Sequence, residues 1–351
     1  MVRISKRRGN NVNPFMSKWF CLAACFTIVG FTGSLAVMRT KNSQNEKAPS
    51  TLVSAISASR IQASGKPYII YGTAWKEDQT SRLVTEAIRS GFRFIDTACQ
   101  PKHYNEAGVG DGIVQAMKEL QLSREDISIQ TKFTPIDGQD RNRVPYDVDA
   151  PLEVQALQSV EQSLRNLRVT YIDSLVLHSP LKTDEETLAV WRVFEKLVDE
   201  GKVLRIGISN CYDFDRFRYI YHEARIKPST LQNRFYSQSG FDVDLRHFCK
   251  RHNILYQSFW TLSANIQALR RQEVRDIAAS KGLSSMTLMY AFMMTMGHTP
   301  LSGTTDQAHM MEDAAVAERI QGGEQILDAD EMAYLSVMLG ITEDEEEEEI
   351  H

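Results

Sequence analysis

The chain has 351 residues, room for one large domain or two ordinary ones, with 42% hydrophobic and 24% charged residues. That ordinary globular balance excludes a wholly disordered, collagen-like or mucin-like chain, and five cysteines without paired spacing exclude a disulfide framework and a complete clustered zinc site. The net charge of −5 arises in the tail, since without the seven acids Glu343, Asp344 and Glu345 to Glu349 the remainder stands at +2; nothing points to a nucleic-acid partner.

Residues 1–18 are basic, carrying Arg3, Lys6, Arg7, Arg8 and Lys18, and the 20 residues from Trp19 to Met38 are free of charge. As a helix such a run spans about 30 Å, the thickness of a bilayer core. Arg39 and Lys41 follow it, so the positive-inside bias predicts a signal anchor with a cytosolic N-terminus. The expected protein is single-pass, tethered to the lipid bilayer of the endoplasmic reticulum or Golgi with the remainder lumenal. A cleaved secretory signal and an organellar import signal are the other readings. Residues 39–65, rich in Ser, Asn, Lys and Ala, read as a disordered linker, and 342–351 as a solvated acidic tail.

Between 66 and 341 the chain alternates short β-branched or aromatic runs with segments of helical period, the signature of parallel strands joined by crossover helices. Strands are predicted at Tyr68–Gly72, Phe92–Asp96, Ile127–Phe133, Ile172–His178, Val203–Ser209, Ser229–Asn233, Ile254–Phe259 and Thr299–Gly303. Helices are predicted at Ser81–Ser90, Leu152–Asn166, Glu185–Glu200, Phe214–Ala224, Arg270–Lys281 and Ser285–Met296. Eight such units in this length suit an α/β fold of the (β/α)8 TIM-barrel type. Periodicity alone leaves an open doubly wound sheet available. The first strand, however, is followed by Thr73-Ala-Trp-Lys76 rather than the glycine-rich turn of a dinucleotide-binding sheet.

In a barrel the site gathers at the C-terminal ends of the strands. There the sequence places Asp96, Lys132, His178, Ser209 with Asn210, and Gln232 with Asn233. An Asp, a Lys and a His beside Tyr104 suit the reduction of a carbonyl. Hydride addition leaves charge on oxygen, and a positioned acid that delivers a proton as the charge develops lowers the barrier. The phenol is that acid, an ammonium favours its ionised form, a carboxylate fixes the ammonium, and the imidazole orients the carbonyl oxygen.

Several segments in order then resemble the aldo-keto reductases. They are Gly91–Ala98 (GFRFIDTA), His103–Glu106 (HYNE) with Gly108 and Gly110, the Thr131–Phe133 strand end, Ile172–Pro180 (IDSLVLHSP) and Gly201–Asn210 (GKVLRIGISN). The resemblance spans about 68 to 320. It implies a TIM barrel, an extended nicotinamide cofactor and reduction of a small aldehyde or ketone by a monomeric barrel. It makes Tyr104 the general acid, Asp96 and Lys132 its tuning pair, and His178 the substrate-orienting residue. Ser209, Asn210 and Gln232 take the carboxamide positions, Gly72 and Thr73 the first-strand turn. Gln257 and Ser258 face the cofactor after the seventh strand, and Ser302, Gly303, Thr304 and Thr305 grip the adenosine phosphate. Trp75, His103 and Trp260 are expected to wall the substrate pocket, and no metal site is expected.

The sequence departs from that pattern in three places. Asp96 and Tyr104 stand eight residues apart instead of five, with Cys99–His103 in a longer loop. Gln257 occupies the place of a Tyr that stacks on the nicotinamide, leaving Tyr256 or Trp260 to stack. Leu301 replaces a common basic residue, and Gln307 or His309 falls where an Arg often meets the 2′-phosphate. NADPH is the expected cofactor, with NADH open. Cys99 and Cys211 read as packed thiols, and the insertion from Ile136 to Asp149 as a lid. A second reading is a nucleotide-binding, catalytically weak redox-sensing subunit of a membrane assembly.

Overall fold

The computed structural model describes residues 57–341. Eight parallel strands form in chain order: β1 Ile70–Gly72, β2 Phe94–Asp96, β3 Ser128–Phe133, β4 Ser174–Leu177, β5 Ile206–Ser209, β6 Thr230–Arg234, β7 Leu255–Phe259 and β8 Thr299–Ser302. Each pairs with the next, and β8 returns to β1, Tyr71 opposite Ser302, so the sheet is a closed barrel and not an open one. All eight predicted strands are present, shortened mostly at their starts.

Among the described residues twelve α-helices accompany them: α1 Ala58–Ala63, α2 Thr80–Arg89, α3 Glu106–Leu120, α4 Leu152–Leu167, α5 Asp184–Asp199, α6 Phe214–Glu223, α7 Val243–Arg251, α8 Ile266–Leu269, α9 Gln272–Ser280, α10 Ser285–Thr295, α11 Gln307–Gln321 and α12 Ala329–Leu339. Many start where the sequence supplies a cap. Thr183 and Glu186 make a reciprocal capping box on α5, Asp213 caps α6, and Asp306 accepts from the amides of Ala308 and His309 at the start of α11.

Strand alternation sorts the residues between two environments. Ile95, Ile129, Leu175, Leu177, Ile206, Ile208 and Leu231 belong to the main apolar core, which they share with Leu83, Val109, Val160, Trp191, Phe217 and Phe292 of the helices. The intervening residues point into the barrel, and there Gln130, Ser174, Gln232 and Gln257 hydrogen-bond to one another around Asp96. The barrel interior is therefore a polar layer, where TIM barrels are commonly filled with branched apolar side chains.

Part of the predicted linker is ordered. Ser57 caps α1, and Ala58 and Ile61, three apart on one face, pack with Tyr68, Ile70 and Phe94 at the N-terminal end of the strands. The expected bilayer anchor at 19–38 lies outside the described residues, as do the basic segment 1–18 and the tail 342–351. Among the described residues no helix is long and apolar enough to cross a membrane. The longest, α4 and α5, have 16 residues each and carry charged faces. The single-pass placement in the endoplasmic reticulum or Golgi is accordingly withdrawn.

Close helix contacts explain the glycines of α3. A Cβ at Gly112 would lie 2.5 Å from the Ser81 carbonyl oxygen and 2.8 Å from Val84 Cβ of α2, and Gly110 meets the α4 backbone at Asn166 and Leu167 in the same way. A backbone neighbour cannot rotate aside, so added volume must separate the helices. Gly112→Ala is expected to lower stability by about 1–3 kcal/mol, read as a lower urea midpoint at unchanged slope; an unmoved midpoint would show that α2 and α3 part freely.

Candidate active site

At the C-terminal ends of the strands opens a cavity of about 720 Å³ lined by Asp96, Tyr104, His178, Ser209, Asn210 and Gln232 among others. Its base is an ion pair. The Lys132 ammonium, 1% exposed, donates to both Asp96 oxygens at 2.7 and 2.6 Å and to the Thr97 carbonyl at 2.8 Å. Two further donors, Gln130 Nε2 at 2.8 Å and Gln232 Nε2 at 3.0 Å, reach Asp96 Oδ1. Burial depresses the lysine's pKa, and the neighbouring carboxylate opposes that shift.

The longer Asp96-to-Tyr104 connection is taken up by backbone hydrogen bonds. Its first half extends the β2 pairing, with the Thr97 and Cys99 amides donating to the Gln130 and Lys132 carbonyls. Its second half is one tight turn, in which the His103 and Tyr104 amides donate to the Gln100 carbonyl. Side chains clasp it to the following insertion: Gln100 Nε2 donates to the Gly138 carbonyl at 2.6 Å, and Gln139 Nε2 to the Cys99 carbonyl at 3.0 Å. The Tyr104 ring thus comes to rest with Lys132 Nζ 5.4 Å from its centre and the His178 ring centre 6.0 Å away.

The sequence reading had the ammonium lowering the phenol's pKa. In the structure the balance runs the other way, because burial comes first and the Asp96 charge adds to it, so the Tyr104 pKa rises and the phenol is held protonated. His178 is driven well below its ordinary value by burial, then by the Lys132 charge, and is neutral. Its Nδ1 lies 2.6 Å from the Thr134 hydroxyl. Thr134 was missed, although its place two residues beyond Lys132 put it at the same strand end.

The remaining predicted residues divide into three groups. Gly72, Ser302, Gly303 and Thr304 line the cavity, as do Trp75, His103 and Trp260. Asn210 has a left-handed backbone, φ 53°, and its amide donates to the His178 carbonyl at 2.8 Å, tying the β5 turn to the β4 turn. Thr73 and Ser258 back the cavity from behind: the Thr73 hydroxyl donates to the Asp96 carbonyl and Ser258 accepts from Thr261. Gln257 points inward below Asp96, joined to Gln130 and Gln232, and Thr305 is exposed outside the cavity.

Tyr256 faces away from the mouth, because it is adjacent to inward Gln257, and its hydroxyl donates to Asp242 at 2.9 Å. It is not available to stack in the cavity. Trp260 is 54% exposed at the rim with φ 56°. Cys99 and Cys211 are buried, and burial pushes both thiols up, that of Cys211 to about 12, so neither is a reactive thiolate. The insertion expected as a lid is pinned, since the buried Tyr146 donates its hydroxyl to the Thr134 carbonyl at 2.9 Å.

A curated relative, glyoxal reductase of Bacillus subtilis (strain 168), is 28% identical over 239 residues, covering 68% of this chain and 78% of its own. Among solved structures, the aldo/keto reductase from Brucella melitensis superposes with a TM-score of 0.63 at 24% identity, over 77% of this chain and 94% of that one. A solved mutant of Gox0644 in complex with NADPH gives 0.60 at 23% identity, over 77% and 88%. The family model described as the aldo/keto reductase family matches residues 66–334, most of the barrel and its helices. The chain belongs to the aldo/keto reductase family.

Proposed function

We propose that this oxidoreductase reduces small aldehydes or ketones to alcohols, with Tyr104 delivering the proton. The observation that carries the reading is the convergence of Tyr104, His178 and the buried Lys132–Asp96 pair on one cavity. A nicotinamide dinucleotide would supply the hydride. Ser209, Asn210 and Gln232 offer hydroxyl and amide groups for its carboxamide, while Gly72, Ser302, Gly303 and Thr304 line the wall along which the rest of it would extend. NADPH is the expected form, in keeping with the family and with the NADPH-bound Gox0644 mutant. Leu301 and Gln307 carry no positive charge for a 2′-phosphate, and His309 holds the other candidate place in the cavity lining, so NADH belongs in every assay.

The chain's own residues divide the work. Neutral His178 has its Nδ1 against the Thr134 hydroxyl, and in the tautomer that accepts from that hydroxyl its Nε2–H would donate to the carbonyl oxygen and orient the substrate. As charge grows on that oxygen, the Tyr104 hydroxyl passes its proton to it. The phenolate left behind faces the Lys132 ammonium, whose position is fixed by Asp96 through two contacts under 2.8 Å. The Lys132 ammonium over the Tyr104 ring offsets part of the cost that burial and the Asp96 charge put on that phenolate. The assembled set favours an enzyme over a nucleotide-sensing subunit.

Two outcomes test the reading. Tyr104→Phe should lower kcat for aldehyde-dependent oxidation of NADPH or NADH by about 10²–10⁴-fold while the dinucleotide Kd, measured by fluorescence, stays within about twofold; undiminished turnover would name another acid. The second concerns pH. The raised phenol loses its proton only above the ordinary tyrosine value of about 10, and the depressed imidazole gains one only below about 6.5. Both groups therefore stay in their working forms between, and kcat/KM should be level from about pH 6.5 to 9. A limb centred inside that window, other than an alkaline fall from loss of the depressed Lys132 ammonium, would contradict these assignments.

A further inference from the structure

Arg234 ends β6 at the cavity wall and carries the one guanidinium among the cavity-lining residues. Its guanidinium carbon lies over the Trp260 indole, 4.3 Å from the ring centre, with that of Phe259 5.8 Å away. Among the described residues no carboxylate pairs with it, and its Nε is buried without a hydrogen-bond partner. An arginine drawn partly out of water and left unpaired loses hydration that its aromatic shelf replaces only in part.

The acids of the same cavity are already engaged. Asp96 is taken by Lys132, Gln130 and Gln232, and Asp313 by the hydroxyls of Ser302 and Thr287, each at 2.9 Å. The other cation there, Lys76, is turned to the Gly303 carbonyl. The shelf itself is held against strain. Trp260 has a left-handed backbone, φ 56°, which is strained for a bulky residue. The turn after it is fastened by Asn265, whose amide donates to the Phe235 and Thr261 carbonyls, and by Thr261 donating to Ser258. A strained, exposed tryptophan placed under an unpaired guanidinium is a built arrangement, and planar guanidinium on an aromatic face suits bidentate recognition of an oxyanion.

We propose that Arg234, supported by Trp260, is an anion-binding residue of the cavity. It takes either the diphosphate of the dinucleotide or an acidic group on the carbonyl substrate, an assignment of occupants that rests on the reductase reading. Either oxyanion would accept from the guanidinium's Nη groups, its Nε being buried, and meet no unengaged carboxylate in the cavity wall. The aromatic shelf would keep the guanidinium's donors aimed into the cavity before the ligand arrives.

The test compares the wild type with Arg234→Gln and Arg234→Lys. Tryptophan fluorescence follows titrations with sodium pyrophosphate, NADH and NADPH, and steady-state kinetics use benzaldehyde and 4-carboxybenzaldehyde. If the anion is the diphosphate, Arg234→Gln should raise the Kd for pyrophosphate and both dinucleotides by about tenfold or more, the loss of one charge-assisted hydrogen bond, with both aldehydes affected alike. If it is a substrate acid, dinucleotide Kd should hold while the KM for 4-carboxybenzaldehyde rises about tenfold relative to benzaldehyde. Arg234→Lys, which keeps the charge, should recover part of either effect. Folded Arg234→Gln protein that matches the wild type within about twofold in every titration and in the ratio of the two KM values overturns the proposal. A wild type that binds pyrophosphate through Arg234 but turns over neither aldehyde would sink the reductase reading and leave the anion site standing.

Discussion

The buried contact between Lys132 and Asp96 is the constraint to which the rest of the site answers. An ammonium 1% exposed cannot stand alone inside a protein, and removing one member of such a pair costs about 3–5 kcal/mol because the other charge is stranded. The barrel meets that demand by geometry. β2 and β3 are adjacent and parallel, and pairing of Asp96 with Gln130 sets Lys132 one inward position higher, so the ammonium arches back over the carboxylate. Burial raises Tyr104 and lowers His178, and the fixed charges of Asp96 and Lys132 add to those shifts in turn.

Beneath that pair the polar layer answers a second requirement. A carboxylate has about four acceptor positions. Lys132 reaches both oxygens of Asp96, and Gln130 and Gln232 supply further donors to Oδ1. Gln257 accepts from both glutamines and so fixes which way their amides face. Its presence at the seventh strand is therefore intelligible in terms of the barrel interior rather than the cofactor, which is why reading it as a cofactor-facing residue gave the wrong surroundings.

Most of the fold and the meeting of Asp96, Tyr104, Lys132 and His178 at one cavity were legible in the sequence, for a physical reason. Alternation of period and the recurrence of polar residues after apolar runs are local signals, and a barrel turns each strand end toward one mouth. What escaped were relations between segments distant in the chain. Thr134 gains its role only when β4 brings His178 alongside, and the clasp of Gln100 on Gly138 and Gln139 on Cys99 exists only once two loops meet. The sign of the Tyr104 shift was also invisible, since spacing shows which charges are near but not how much water is excluded. The apolar run at 19–38 shows the opposite error: composition alone suggested a compartment, and no described element supports it.

The two long loops illustrate how a family site tolerates inserted residues. Three extra residues between Asp96 and Tyr104 would move the phenol by several ångströms if the chain ran on extended. Instead the additional length is taken up where it closes backbone hydrogen bonds: Cys99 onto Lys132, His103 and Tyr104 onto Gln100, and the Trp75 amide onto the His103 carbonyl. Each bond fixes a point on the path, so the end of the path is set by β1 and β3 rather than by loop length. Trp75 shares in this, since its ring rests 3.8 Å from that of His103 while 67% of it stays exposed at the rim. The residues that lengthen the connection thereby become part of the cavity wall, so the phenol's position and the shape of the substrate entrance are tied to the same few backbone bonds.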